Sequence, residues 1–363
     1  MVCPYDLSRP GGVQGQGRGL VRALRALGHD AWLIAPDDAP LGWAGEDRYV
    51  AGRSLGLRAN GSVAPLCVSA MGARRAVGVA RARGAQVVHL HEPFAPVLGY
   101  GFWAAHRWPT VATFHRSGSD ALMAIASPLA RWARGRIDVC VAVSEAARDT
   151  AATMCGGTYE VLFNGVDLGR YAGVVPTPSD VPAVLFLGRH ESRKGLEVLL
   201  DAFAQVTRPA VLWIAGIGAD TARLRARHPE SERVRWLGVV SDDEAASRLL
   251  GAAVLCAPSL GGESFGMVLV EAMAAGTAVV ASDISGYRQV AAGHGTLVAP
   301  GDRGALAVAL DRLLASPPDA GTLERARQHA AQWSMDGLAA RYVDLYRRAM
   351  ARRPPAARIA RLS

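Results

Sequence analysis

Residues 261 to 276 read GGESFGMVLVEAMAAG and set two glutamates, Glu263 and Glu271, among glycines and apolar residues. With a helix beginning near Ser264 or Phe265, Glu263 lies at its N-terminal edge, where the helix dipole stabilises a carboxylate that can accept hydrogen bonds from ligand hydroxyls. Glu271 stands about two turns further on. It is surrounded there by Val268, Leu269, Val270, Ala272 and Met273. An unpaired carboxylate in such company is costly, so Glu271 needs donors: a sugar diol, or an arginine from elsewhere in the chain.

A second group of charges lies in FLGRHESRKG. Arg189 ends a predicted strand and Lys194 follows in the loop before a helix near Gly195, so two cations can converge on one anion, for which a diphosphate is the natural choice. A solvated pair of surface cations is the alternative. The stretch Pro10 to Leu20, PGGVQGQGRGL, puts glycines between a strand and a helix, where the backbone can approach a ligand and a helix N-terminus can face a phosphate. Leu20 stands where a GxGxxG pattern starting at Gly15 needs its last glycine, and no P-loop lysine motif occurs. A plain glycine-rich turn accounts for these residues equally.

In VVHLHEP, His89 and His91 share one strand face, and His115 ends the next strand in ATFH. No third ligand at a metal spacing and no D-x-D appear, which favours metal-independent roles. His89 reads as a hydrogen-bonded structural histidine and His115, beside Arg116 and Ser117, as a substrate contact. In SAMGARRAVGVARARG, Arg74, Arg75, Arg81 and Arg83 alternate with Met71, Val77 and Val79. The helix suits an anionic bilayer surface, or it is an ordinary amphipathic helix packed on the sheet.

The elements that position these residues follow from the alternation of short β-branched runs with Ala/Leu/Arg-rich helical patterns, the mark of a parallel sheet covered by helices. AWLIAP, VVHLHEP, TVATFH, VCVAVS and YEVLFN form a first set of strands; AVLFLG, VLWIAG, VRWLG, AVLCAPS, AVVASD and GTLVAP form a second. The Pro- and Gly-rich segment 169–182 reads as a linker between an N-terminal domain, 1–168, and a C-terminal domain, 183–334. Residues 335–363 hold a last helix, with Leu338, Tyr342, Leu345 and Tyr346 at helical spacing, and a basic tail. Two domains suit 363 residues. MVCPYD leaves the first strand only about three residues against a usual five or six, which suggests residues missing upstream.

The formal charge of +8 calls for an anionic partner: nucleotide, nucleic acid or membrane surface. Five cysteines without a C-x-x-C pair indicate neither a zinc site nor a disulfide framework, and fit a reducing cytoplasm. No apolar run reaches the roughly 18 residues of a membrane span, so the reading is a soluble or peripheral protein.

Taken together, GGVQ, HLHEP, ATFH, VAVSEAA, NGVD, FLGRHESRKG, IAGIG, WLGVV, APSLGGESFGMVLVEAMAAGT and VVASD resemble, in order and over nearly the whole chain, the retaining glycosyltransferases of family 4. MVCPY, PGGVQ, NGSVA, HLHEP, ATFH and the Glu263 stretch are most similar to the actinobacterial branch that mannosylates phosphatidylinositol from GDP-mannose. The resemblance implies a GT-B fold: two Rossmann-like α/β domains facing a cleft, with the C-terminal helix returning to the N-terminal domain. It implies a membrane-side acceptor domain and a nucleotide-sugar domain. Arg189 and Lys194 would hold the diphosphate, Glu263 the sugar hydroxyls, Glu271 the ribose, and His115 would lie near the transferred sugar. Gly12, Gly216, Gly218, Ser264, Phe265, Gly266, Met267 and Val268 would line the donor site. Tyr5, Gln14, Asn60, Gly61 and Ser62 would lie on the acceptor side, and Arg74, Arg75, Arg81 and Arg83 would meet the membrane. The expected partners are a nucleotide sugar, phosphatidylinositol or another lipid acceptor, and an anionic membrane surface at the inner face of the cell membrane. No cofactor, essential metal or nucleic acid is expected.

The charge chemistry stands without the family, because two cations can stabilise a leaving diphosphate in place of a metal. Other functions considered are a glycosyltransferase with another nucleotide sugar and a soluble or different lipid acceptor, a sugar-nucleotide epimerase on the same fold, and a dinucleotide-dependent oxidoreductase, which the missing GxGxxG disfavours.

Overall fold

Strands covered by helices on both faces need apolar residues at every position, not at alternate ones, and this chain supplies such runs throughout. The structure, a computed structural model, describes residues 1–353 apart from 10, 39–41, 46, 60–61, 117–129 and 264. The chain divides into one unit made of Met1–Gly165 with the stretch from Met335 onward, and another made of Val166–Ser334. The segment expected as a linker, 169–182, is counted with the second unit.

In the first unit the strands are β1 Leu33–Ala35, β2 Gly42–Gly45, β3 Arg48–Val50, β4 Ser54–Ala59, β5 Ser62–Cys67, β6 Val88–His91, β7 Thr110–Phe114, β8 Val139–Ala142 and β9 Glu160–Val161. Every residue of β1, β6, β7 and β8 is buried. β6 to β9 run parallel in that order, β1 pairs parallel with β3, and β2 is antiparallel to β3. Val2 joins the two ribbons, bridging in parallel to Ile34 on one side and Leu90 on the other. The first strand is therefore as short as MVCPYD suggests. β4 and β5 form an antiparallel hairpin that the sequence reading did not contain.

The helices of this unit are α1 Gly12–Ala26, α2 Ala70–Ala82, α3 Leu98–Ala105 and α4 Glu145–Cys155. Ser69 and Ser144 cap α2 and α4, each side chain accepting from the amide three residues on. The glycine-rich stretch after Val2 differs from expectation: Gly15, Gly17 and Gly19 lie inside α1, not in a loop before it. Packing crowds only the last of them. A Cβ at Gly17 would touch Leu33, and one at Gly19 would lie 2.6 Å from the Met335 methyl carbon.

In the second unit, β10 Ala183–Leu187, β11 Val211–Ala215, β12 Val234–Gly238, β13 Val254–Ala257, β14 Ala278–Ser282 and β15 Thr296–Val298 form one parallel sheet in the order β12-β11-β10-β13-β14-β15. Its helices are α5 Leu196–Phe203, α6 Thr221–Arg227, α7 Asp242–Gly251, α8 Met267–Ala275, α9 Ser285–Ala291, α10 Arg303–Ala315 and α11 Ala320–Ala330. Leu199, Leu212, Ile214, Val280 and Leu310, none of them exposed, sit in its core. The chain reverses its direction of travel across the sheet between β10 and β13. Loops at the carboxyl ends of the strands flanking such a switch point diverge and leave room for a ligand.

The last helix, α12 Met335–Arg352, belongs to the first unit. Its buried face, including Leu338, Tyr342, Leu345 and Tyr346, packs on Leu20 and Leu24 of α1 and on Val111, Val139 and Val141 of β7 and β8. It also closes a polar ladder in the core. The Tyr346 hydroxyl lies 2.8 Å from His89 Nδ1, His89 Nε2 lies 2.7 Å from Thr113 Oγ1, and Thr113 Oγ1 lies 2.8 Å from the Tyr342 hydroxyl. His89 is the structural histidine its strand position suggests. His91 stacks on it at 4.5 Å and reaches His115, with Nδ1 and Nε2 2.9 Å apart.

Burial holds His89 and His91 well below the ordinary histidine range and brings His115 down to about 3. Below an ordinary value of about 6.5, the unfolded chain binds protons on these rings that the fold refuses. Stability of the first unit is therefore complete above that pH and falls as the pH drops beneath it, each ring contributing up to about 1.4 kcal/mol per pH unit. Urea denaturation at pH 7.5, 6.5 and 5.5 checks this. A midpoint for the first unit that does not move between pH 7.5 and 5.5 means the rings are not held neutral.

Candidate functional site

Two loops of the second unit leave the sheet at its switch point. The first follows β10, makes a 3-10 turn over Ser192–Lys194 and enters α5 through Gly195 at φ +70°. The second follows β13. The loops are in backbone contact: a Cβ at Gly195 would run into the Pro258 carbonyl, and the Leu260 amide donates to the Arg193 carbonyl at 2.7 Å. That approach brings Lys194 to Glu263, with Nζ 2.6 Å from Oε1. Arg193 Nη1 reaches the same oxygen at 2.9 Å, and its Nε lies 3.0 Å from Glu191 Oε2. Arg189 Nη1 holds the other Glu191 oxygen at 2.6 Å. The Ser259 hydroxyl lies 3.5 Å from Glu263 Oε1 and 2.8 Å from the Tyr287 hydroxyl.

Three cations thus face two carboxylates, leaving one net positive charge at the carboxyl ends of β10 and β13. Burial pushes the Lys194 ammonium down, and the Glu263 carboxylate works against that shift. Among the described residues Glu263 is engaged only through Oε1, which leaves Oε2 to accept from a ligand hydroxyl. A diphosphate entering here would compete with the two glutamates for the cations. Sequence reasoning found Arg189, Lys194 and Glu263 but missed Glu191, Arg193, Ser259 and Tyr287. The adjacency of Arg193 to Lys194 was the available signal for one of them.

The helix near Glu263 begins later than expected. Gly266, at φ +86°, interrupts the backbone, and α8 starts at Met267 with no acidic residue in its first turn. Glu263 is therefore held by cations and not by the α8 dipole. Phe265 is buried against Trp333, and a Cβ at Gly266 would lie 2.6 Å from the Tyr287 ring. With that phenyl ring turned inward, Phe265 can offer a ligand its backbone only. Met267 and Val268 open α8, where amides lack intrahelical acceptors. Ser264 lies outside the described residues.

Gly216 and Gly218 serve a tight backbone packing. At φ +117° Gly216 lies against the Gly188 carbonyl, and a Cβ at Gly218 would lie 2.7 Å from the His190 amide nitrogen. The loop after β11 thus rests on the loop that carries Arg189. His190 locks the contact: its Nδ1 lies 2.9 Å from Thr221 Oγ1, and burial brings it down to about 4.

Of the two readings of Glu271, the arginine is present: Arg170 Nη1 lies 3.6 Å from its Oε1. Burial raises the Glu271 carboxyl and Arg170 opposes the shift.

In the first unit, the loops after Val2, β6 and β7 gather Tyr5, Glu92 and His115. Glu92, at φ +47°, accepts the His115 amide at 2.6 Å, and its charge together with burial raises the Tyr5 hydroxyl. Glu92 was not singled out in the sequence. Gln14 is buried and donates to the Asp6 and Arg9 carbonyls at 3.1 and 3.4 Å, so its amide fixes the preceding loop. Gly12, the first residue of α1, has open space where a Cβ would be. Asn60 and Gly61 lie outside the described residues; Ser62 opens β5.

On α2, Gly72, Ala73, Ala76 and Ala80 face the core and Val77 and Val79 pack against it, so the two valines are not available to a bilayer as expected. Arg74, Arg75 and Arg81 are exposed beside Met71. Arg83 is also exposed but turns back on Trp32 at 4.9 Å and Asp30 at 3.5 Å. A groove of about 510 Å³ lies between α2 and α3, lined by residues that include Ala73, Arg74, Val77 and Tyr100. Among the described residues no helix is long and apolar enough to cross a membrane.

Two family models match the chain: Glycosyltransferase Family 4 over residues 10–170 and Glycosyl transferases group 1 over residues 181–316. A phosphatidyl-myo-inositol mannosyltransferase of Mycobacterium tuberculosis is 40% identical over 87% of this chain and 86% of its own length. The protein of the same description from Mycolicibacterium smegmatis is 38% identical over 92% and 90%. Among solved structures, sucrose-phosphate synthase from Thermosynechococcus elongatus shares the fold, with a TM-score of 0.73 at 22% identity and 96% of each chain covered.

The glycine contacts separate two kinds of substitution. Gly216→Ala, at positive φ against a carbonyl, should cost roughly 1–3 kcal/mol. Gly12→Ala, in open space at a helix start, should leave stability unchanged or raise it by up to about 1 kcal/mol. Denaturant midpoints of the two variants check this, and equal midpoints would contradict the packing described for Gly216.

Proposed function

The chain belongs to glycosyltransferase family 4, with the GT-B fold, and from that premise we propose that it transfers mannose from GDP-mannose to the inositol ring of phosphatidylinositol, with retention of configuration and without an essential metal. The observation that carries the donor half is the convergence of Arg189, Arg193 and Lys194 with Glu263 at the switch point of the second unit. As the bond from the sugar C1 to the diphosphate oxygen breaks, its electron pair moves onto the diphosphate, and fixed cations stabilise that charge in the manner of an oxyanion hole. Glu263 Oε2 takes a sugar hydroxyl and Glu271 the ribose. His115, with Glu92 fixing its backbone, lies near the transferred sugar, and Tyr5 lies on the acceptor side.

Support for the mannosyl group and the lipid acceptor comes from the relatives' description as phosphatidyl-myo-inositol mannosyltransferases. Peripheral association with the cytoplasmic face of an anionic membrane is supported by the exposed Arg74, Arg75 and Arg81 beside Met71 on α2.

The test is an assay with labelled GDP-mannose and vesicles with or without phosphatidylinositol, following label into the lipid phase. Label that enters only with phosphatidylinositol is the expected result, and transfer to a soluble acceptor alone would overturn the lipid reading. Lys194→Ala and Glu263→Ala should each reduce transfer by about 10²–10³; wild-type turnover in either would overturn the donor site. Replacing Arg74, Arg75, Arg81 and Arg83 by serine should weaken co-sedimentation with anionic vesicles, most visibly at low salt. Unchanged co-sedimentation would remove α2 from the membrane contact.

A further inference from the structure

The carboxylate of Glu271 is held in place by a residue whose role is not part of the reading above. We propose that Arg170, on the 3-10 turn Leu168–Tyr171, is a positioning residue that orients Glu271 to receive the ribose hydroxyls of a nucleoside diphosphate. The proposal rests on the ribose reading of Glu271.

Glu271 lies midway along α8 between Val270 and Ala272, neither of them exposed. Among the described residues its one ion-pair partner is Arg170, 3.6 Å away. The guanidinium is itself anchored: Nη2 donates to the Asp242 carbonyl at the start of α7 at 2.7 Å, and the group lies 5.6 Å from the centre of the Tyr171 ring. A planar fork fixed at one end is a stationary charge, and at 3.6 Å it attracts the Glu271 carboxylate as an ion pair without a hydrogen bond, so it biases the side of the carboxylate that Oε1 takes. Oε2 has no partner among the described residues. A carboxylate oriented by charge, with neither oxygen hydrogen-bonded among the described residues, suits a vicinal diol, whose two hydroxyls both need acceptors.

Tyr171, next on the same turn, is 9% exposed, and its hydroxyl has no partner among the described residues. Its charge interactions are with Glu271, Arg170 and Asp167. The groups that face Glu271 are thus Arg170 and Tyr171 from the turn and Asp242 from α7. Burial and Asp242 raise the Glu271 carboxyl, and Arg170 alone among the three opposes them. Without Arg170 the carboxyl would take up a proton at a higher pH, lose acceptor capacity and turn a donor toward the ribose.

The experiment is calorimetric titration of the full chain with GDP at pH 8, 7 and 6, for the wild type, Arg170→Gln, Arg170→Lys, Glu271→Gln and the double variant Arg170→Gln/Glu271→Gln. The terminal phosphate of GDP itself takes up a proton over this range, so each variant is read as its affinity relative to the wild type at the same pH. Relative to the wild type, Arg170→Gln should bind about tenfold more weakly at pH 8 and by a growing factor toward pH 6, with Arg170→Lys restoring a ratio that does not change with pH. Glu271→Gln should be weak at every pH, and adding Arg170→Gln should weaken it no further. Wild-type binding by Arg170→Gln at every pH, or a pH-independent loss that adds to that of Glu271→Gln, overturns the proposal while the ribose reading stands. Full affinity in Glu271→Gln overturns the ribose reading itself.

Discussion

A parallel strand buried on both faces can keep a polar side chain along its length only where a partner satisfies it, and otherwise only at its end. That constraint governs the second unit. β10, β11, β13 and β14 are apolar along almost their whole length, so the charged residues of the sheet accumulate in the loops past their carboxyl ends. The direction reversal between β10 and β13 then brings two of those loops to one place. Backbone contact at Gly195 and at the Arg193 carbonyl fixes their separation, and the pairing of Lys194 and Arg193 with Glu263 follows from it.

The charge balance of this cluster limits what its cations cost the fold. A lone buried ammonium at Lys194 would be expensive, and Glu263 offsets the cost; Glu191 does the same for Arg189 and Arg193. The two carboxylates offset the three cations without neutralising them. Because the pairs are partly open to solvent, with Arg189 half exposed, each is worth little alone, and an anion of higher charge can take the cations over. Glu271 follows the same logic at a second point, with one arginine offsetting the cost of a carboxylate on an otherwise apolar helix face.

The first unit puts its polar groups elsewhere, in a ladder through its core. His89, Thr113, Tyr342 and Tyr346 satisfy one another across β6, β7 and α12, so a helix distant in sequence completes the hydrogen bonding of the central strands. His91 carries the ladder on to His115 at the strand end. The geometry of a residue near the proposed transfer site is thereby tied to the packing of the C-terminal helix.

The sequence by itself determined the periodic parts. Uninterrupted apolar runs marked the long parallel strands of both units, the spacing of Leu338, Tyr342, Leu345 and Tyr346 marked the buried face of α12, and a strand end with its following loop marked Arg189 and Lys194, whereas Glu263 was marked by a helix start that lies further along, at Met267. These are local signals, because burial on both faces or on one face writes a period into the residues themselves. Other features were decided only by tertiary contact. The glycines of GQGRG look like a loop in isolation, yet all three lie within α1, where the last meets a crowded neighbour, Met335 of α12. Gly216 and Gly218 look like ligand-approach glycines, yet the neighbouring loop occupies the space their side chains would need. Glu191, Arg193 and Arg170 could not be assigned to their carboxylates because a charged side chain carries no period. Its partner is chosen by which loops the sheet order brings within about 4 Å, a distance that residue spacing along the chain does not encode.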